Sequence, residues 1–355
     1  MRSSAFSLVL PLLSKESDMS RNRHGCDPQN LDKERFANIK LSVVIPCYNG
    51  AQTIGAQLEA LAGQEYSEPW EVIVVNNRSD DDTVAIVGQY VGRVRNLRIV
   101  DALERPSRSY ARNVGVKAAH GESIVFCDAD DVVGEGWLAA MGIALSRFDC
   151  VACRVDFTKL NEPALAQQHA FHDQHHGLQK AWYPPYLQHA GGGTLGVKRA
   201  LHGQVGGFDE AFPVLEDTEY CFRIQEAGCR IEWVPDAVLH IRCRHDAAAR
   251  FQQVRQWALY NVLLAKRYQQ PAVGPFHSWG TYLKNWIRLI ESLPNSRTDL
   301  TWNRWVWYLG WQVGVLHGSL KFNRPPLSLP FPPPARKESR FLARVRTRVS
   351  MMVHR

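Results

Sequence analysis

Three nearly uninterrupted apolar runs constrain the fold more than any other feature of this sequence. They are "LSVVIP" from Leu41, "WEVIVVN" from Trp70 and "SIVF" from Ser123. Runs so rich in Val and Ile mark strands covered on both faces, which is the condition of a parallel sheet. Between them lie segments of helical spacing. "AQTIGAQLEALAGQ" places Ile54, Leu58 and Leu61 on one face, residues around 82–92 continue the pattern, and "SYARNVGVKAAHG" predicts a helix closed by Gly121. With "LRIVDA" as a further strand, the alternation predicts an α/β domain with helices flanking a mostly parallel, Rossmann-like sheet.

Ligands of such sheets gather at the carboxyl ends of the strands. Here those ends read "PCYNG", "NNRSDDD" and "CDADD", so all three should rim one crevice. Asp128, Asp130 and Asp131 crowd the third. Carboxylates packed this closely raise one another's pKa unless a cation sits among them. Oxygen donors alone suit Mg²⁺ or Mn²⁺; the competing reading is a solvated acidic turn. A second acidic pair, Glu216 and Asp217, opens a helix with Tyr220, Ile224 and Ala227 facing inward and Gly228 at its end. A carboxylate at that positive helix terminus is either a cap or a base able to take a proton from a hydroxyl.

The chain divides into a poorly ordered extension over 1–38, the α/β domain over 39–245, a helical region over 246–322, and a Pro-rich spacer with a basic tail over 323–355. Arg336, Lys337, Arg340, Arg344, Arg346, Arg348 and Arg355 against the single Glu338 put +6 of the chain's +7 in that tail. The nearly neutral body excludes a nucleic-acid binder, which needs basic charge over a folded face. A basic tail instead fits an anionic membrane surface. Trp302, Trp305, Trp307, Tyr308 and Trp311 form either a core stripe or an interfacial belt at that surface. No apolar run reaches the length of a membrane-spanning helix.

Eight cysteines lack the spacing of a disulfide or zinc framework, which predicts reduced thiols in a cytoplasmic protein, with peripheral attachment to the membrane's inner face. Cys150 and Cys153 lie in a predicted strand and should face opposite sides. His169, His172, His175 and His176 fall in a long polar segment, read as a loop over the site in preference to a zinc centre. "GGGTLG" fits a dinucleotide fingerprint in letters, but it follows a loop late in the chain.

Taken together, "SVVIPCYNG", "EVIVVNNRSDDDT", "SRSYARNVGVKAAHGESIVFCDADD", "GGGTLGVKRALHGQVGGFDE" and "EDTEYCFRIQEAG" resemble the family-2 inverting glycosyltransferases of GT-A fold over residues 41 to 245. The resemblance implies a nucleotide pocket lined by Pro46, Tyr48 and Asn49, with Asn76 and Asn77 against the base and Arg112 adding positive charge. It implies that Asp128 lies near the ribose, that Asp130 holds a metal on the donor diphosphate, and that His240 stands where some relatives place a metal or diphosphate ligand. Asp217 matches the general base, Glu216 helps position it, and Gly191 to Thr194 border the acceptor. The implied reaction moves a sugar from a nucleotide-sugar donor, UDP-sugar first, to a saccharide or lipid-linked hydroxyl in surface polysaccharide or glycolipid synthesis. Asn76 and Asn77 depart from the pattern, since relatives usually carry an aspartate there. Two other readings stand beside it: a non-catalytic sugar-nucleotide-binding protein of the same fold, and an aspartyl-nucleophile phosphotransferase.

Overall fold

The computed structural model describes residues 36, 38–168, 173–243, 246–268, 278–293 and 299–327. The expected N-terminal extension lies almost wholly outside these residues, as do His169, His172 and the basic tail. The described residues from Asn38 onward belong to one compact unit.

The apolar runs form β1 (Leu41–Cys47), β2 (Trp70–Asn76), β3 (Leu97–Asp101) and β4 (Ser123–Phe126), with helices α1 (Ile54–Ala62), α2 (Thr83–Gly88) and α3 (Arg108–Ala118) between them. Within this half, β1 pairs in parallel with β2 and β4, and β2 with β3. The chain continues through β5 (Val132–Val133), α4 (Trp137–Leu145), β6 (Cys150–Asp156) and α5 (Pro163–Gln168), then the small hairpin of β7 (Gln179–Lys180) and β8 (Gln188–His189). It then forms β9 (Leu195–Lys198), α6 (Arg199–Gln204), α7 (Glu216–Glu226) and β10 (Glu232–His240). The full sheet has eight strands in the order β3-β2-β1-β4-β9-β6-β10-β5. Its centre departs from the parallel pattern: β9 runs antiparallel to both β4 and β6.

Alternate residues of each strand feed two separate cores. Val43, Ile45, Val72, Val74 and Val125 pack on one face, while Val44, Ile73, Val75, Ile124 and Phe126 pack on the other. Cys153 belongs to the first core and Cys150 to the second, so the C-x-x-C pair is split across the sheet as the strand period requires. The seven described cysteines are free thiols.

Two helix ends differ from expectation. Helix α3 stops at Ala118 and leaves through Ala119 in extended conformation, so Gly121 does not close it. Gly121 instead allows contact with β1, because a Cβ there would meet the Ser42 backbone nitrogen at 2.7 Å. In α7, Tyr220 and Ile224 are buried as expected, but Ala227 is exposed, since the helix ends at Glu226 before its next inward turn.

A third core joins the C-terminal helices α8 (Ala247–Tyr268), α9 (Trp279–Glu291) and α10 (Asp299–Phe322) to the sheet domain, with Phe212, Phe222 and Tyr183 meeting Val254, Trp311 and Val315. Part of the aromatic stripe of α10 serves as core: Trp307 stacks on buried Trp311 at 5.5 Å, while half-buried Trp305 donates its ring N–H to the Leu289 carbonyl. Leu327, early in the Pro-rich segment, is buried in the same core. Gly310, Gly314 and Gly318 line the face of α10 that meets α8, where added Cβ atoms would press on the carbonyls of Phe251, Arg255 and Leu259. These glycines let two helix backbones approach closely, and a larger residue must push them apart. Gly314→Val should therefore lower stability by about 1–3 kcal/mol in urea denaturation. Gly280→Ala, on the open side of α9, should not destabilise.

Candidate active site

The carboxyl ends of β1, β2 and β4 lie side by side, as the alternation predicted. Asn49, just past β1 and in left-handed conformation, donates from its side chain to Asp80 at 2.7 Å and accepts from the Asp80 backbone at 3.0 Å. The Gly50 N–H donates to Thr83 Oγ1 and the Ala51 N–H to Asp81. Asn76 and Asn77 are buried and engaged with the protein. Asn76 donates to Asp101 Oδ1 at 2.8 Å and accepts from Ser79 N; Asn77 donates to the Ala102 and Arg105 carbonyls and accepts from Ser107 N. Tyr48 is exposed and Pro46 partly so.

Beyond β4, Asp128, Asp130 and Asp131 each offer a carboxylate oxygen, and these atoms lie within 4.8 Å of one another. Their environments differ. Asp130 is exposed, Asp128 partly buried, and Asp131 buried, where it accepts the Arg242 N–H at 3.0 Å. Burial, reinforced by the charges of Asp128 and Asp130, pushes the Asp131 carboxyl well above its usual range. Burial also raises Asp128, but the Arg112 and Arg108 guanidiniums outweigh it and hold that carboxyl below the ordinary value. A cluster of hard oxygen donors with excess negative charge fits a Mg²⁺ or Mn²⁺ ion.

Arg112 reaches this cluster from the middle of α3. It is fully buried, with one terminal nitrogen 2.8 Å from Asp128 Oδ1 and the other 2.7 Å from Glu216 Oε1. The "GGGT" turn closes over the pair. A Cβ on Gly192 would meet the Arg112 guanidinium at 2.8 Å, and one on Gly193 the Asp128 carboxylate at 2.9 Å. Arg112 is thus spent on protein carboxylates. Arg108, one turn earlier on α3, is half exposed and 3.9 Å from Glu216 Oε1. The sequence reading passed over it, although its i,i+4 spacing from Arg112 places both on one helix face.

Helix α7 presents the second acidic pair. Leu215 enters it in left-handed conformation (φ 61°), a strained geometry that fixes the direction of the two residues following. Glu216 is buried; its burial and the adjacent Asp217 raise its carboxyl pKa against the pull of Arg112. Asp217 accepts the Gly192 N–H on Oδ2 at 2.9 Å and the Thr218 N–H on Oδ1 at 2.7 Å. His240 sits at the end of β10, paired in register with Val132, its Nδ1 2.8 Å from Asp156 Oδ2. Among the described residues the ligating group comprises Asp128, Asp130 and Asp131, and neither His240 nor His175 joins it. His175 sets its Nδ1 2.9 Å from the Val155 carbonyl.

This sheet, with its acidic strand end, has the GT-A class of fold. A mannosyltransferase from Pyrobaculum calidifontis, solved with GDP-Man and Mn²⁺, superposes with a TM-score of 0.55 over 82% of this chain and 94% of its own, at 18% identity. Residues 42–206 match the family described as Glycosyl transferase family 2. Glycosyltransferase AglE of Haloferax volcanii is 28% identical over 201 residues, 56% of this chain and 65% of the relative. The poly(ribitol-phosphate) beta-N-acetylglucosaminyltransferase TarS of Staphylococcus aureus is 38% identical over 100 residues, 27% of this chain and 17% of the relative. The chain thus spans between 16% and 65% of the length of such curated relatives.

Removing Arg112 leaves buried Glu216 and partly buried Asp128 without their cation. Arg112→Met should cost about 3–5 kcal/mol in chemical denaturation. Arg108→Met, with a half-exposed side chain, should cost less than about 1 kcal/mol.

Proposed function

We propose that this chain is a metal-dependent inverting glycosyltransferase, carrying a sugar from a nucleoside diphosphate to a hydroxyl of a saccharide or lipid-linked acceptor. The observation that supports it most is the separation of two acidic groups by one buried guanidinium. Asp128, Asp130 and Asp131 stand on the strand side of Arg112, and Glu216 and Asp217 on the helix side. The first group suits a cation and the second a proton.

Asp130, exposed beside Asp128 and Asp131, would hold Mg²⁺ or Mn²⁺. Bound there, the ion would neutralise charge on the donor diphosphate and on the same diphosphate as it leaves. Arg108 would supply a further cation for those oxygens. Asp217, near the N-terminus of α7, accepts hydrogen bonds from two backbone N–H groups. It accepts the proton of the attacking hydroxyl as the new bond forms at the anomeric carbon and the diphosphate departs from the opposite face. Glu216 keeps α7 in register through Arg112 and touches neither substrate. His240, held by Asp156, would approach the diphosphate side.

We favour UDP-sugar as donor. A uracil imide N–H needs an acceptor, and the Asn76 and Asn77 amides already serve the protein. Asp101 at the end of β3 is exposed and oriented by Asn76; its carboxylate is the stronger acceptor available there.

Calorimetry with UDP, GDP and dTDP, with and without Mn²⁺, tests the reading. UDP should bind in a metal-dependent way, Asp130→Ala should lose that binding, and Asp217→Asn should keep it while losing sugar transfer by about 100-fold or more. Absence of metal-dependent binding to all three nucleotides, or undiminished transfer by Asp217→Asn, contradicts the proposal.

A further inference from the structure

Helix α9 carries an apolar surface that the packing of the molecule does not use. Tyr282, Asn285 and Leu289 are buried against α10. The Tyr282 hydroxyl donates to the Gln312 carbonyl at 3.0 Å, the Leu289 carbonyl accepts from Trp305, and Ser278 caps the helix start by accepting the Thr281 N–H. The helix is thus mounted firmly on one face. On another, Trp279, Leu283, Ile287 and Ile290 form a stripe at offsets of four, four and three residues, each between 49% and 68% exposed. Leu293 extends the line just past the helix end. Among the described residues, thirteen large hydrophobic side chains are exposed, and five of them fall between 279 and 293. Such clustering marks an interaction surface, whereas exposed apolar residues scattered singly need no explanation.

Two observations select the partner. First, Lys284 and Arg288 are exposed on the flank of the stripe away from α10, and the sequence places a further net +6 between residues 336 and 355. Apolar stripe and flanking cations together match an anionic lipid surface. Second, the stripe is small. A helix of 13 residues is about 20 Å long and about 10 Å across, or roughly 200 Å², against roughly 800 Å² per partner in a stable protein interface. A second copy of this chain would find too little area there, whereas a bilayer needs only a face to enter. Among the described residues no helix is long and apolar enough to cross a membrane.

We propose that α9 lies in the plane of an anionic bilayer surface, with Trp279, Leu283, Ile287 and Ile290 below the headgroups and Lys284 and Arg288 among them. The proposal does not rest on the transfer reaction.

Co-sedimentation of the full chain with phosphatidylglycerol–phosphatidylcholine vesicles, and with phosphatidylcholine alone, tests it. The combined variant Leu283→Gln, Ile287→Gln and Ile290→Gln changes only exposed side chains and should melt as the parent does. Its partition onto the mixed vesicles should fall by about tenfold or more. Lys284→Glu with Arg288→Glu should lessen the preference for mixed over neutral vesicles, and added salt should do the same. Undiminished binding by the stripe variant, equal binding of the parent to both vesicles, or a parental dimer that the stripe variant abolishes would each overturn the proposal.

Discussion

A guanidinium removed from water holds the two halves of this site together. Arg112 lies between Asp128 on the strand side and Glu216 on the helix side, each within 2.8 Å. Each of these carboxylates resists burial, and each is tolerated because the same cation faces it. Such a bridge adds little net stability over an apolar core of equal volume. What it provides is geometry: the end of β4 and the start of α7 cannot drift apart without exposing an unpaired charge to a dry interior. The Gly192 and Gly193 backbone fits against this pair with no room for a side chain. That close fit brings the Gly192 N–H to Asp217, so the carboxylate read as base is located by the bridge it does not itself join.

The rest of the fold supports this arrangement from both sides. Parallel pairing of β1, β2 and β4 brings three polar strand ends to one edge; Asn49 fastens the β1 end to the β2 end, and Asn76 and Asn77 fasten the β2 end to the end of β3. Behind α7, buried Glu219 accepts from Arg223 on its own helix and from Arg267 and Tyr268 on α8. The C-terminal helices are therefore coupled by charge as well as by packing to the helix that carries Asp217. Glycines at the α8–α10 crossing make that helical layer thin and close, and α9 is left on its outside.

Features set by local pattern were legible in the sequence. Strands β1, β2 and β4 are long enough in Val and Ile to exclude other readings, and the polar residues after them follow from the topology of parallel sheets. The opposed positions of Cys150 and Cys153 follow from the period of a strand alone. Features set by distant contacts were not legible. The antiparallel β9 is four residues long, and its Gly196 gives room to Val151 of the neighbouring strand; nothing in "GGGTLG" shows that partner. The engagement of Asn76 depends on the Asp101 carboxylate and that of Asn77 on the Ala102 and Arg105 carbonyls, all 25 or more residues away. Arg112 and Arg108 look alike in sequence, and only the buried carboxylates tell the structural cation from the accessible one. The aromatic residues of α10 suggested either core or surface until packing assigned Trp307 and Trp311 to the core, while the exposed stripe fell on α9.

The central claim is that Arg112 separates a group of carboxylates that holds a cation from a carboxylate that takes a proton. Anomalous diffraction from crystals grown with Mn²⁺ and UDP tests it most directly. The account predicts a single manganese peak in contact with Asp130 and the neighbouring aspartates, the Arg112 bridge intact, and Asp217 outside the coordination sphere. A peak coordinated by Asp217, or an Asp128 carboxylate turned away from Arg112 to follow the ion, would contradict it.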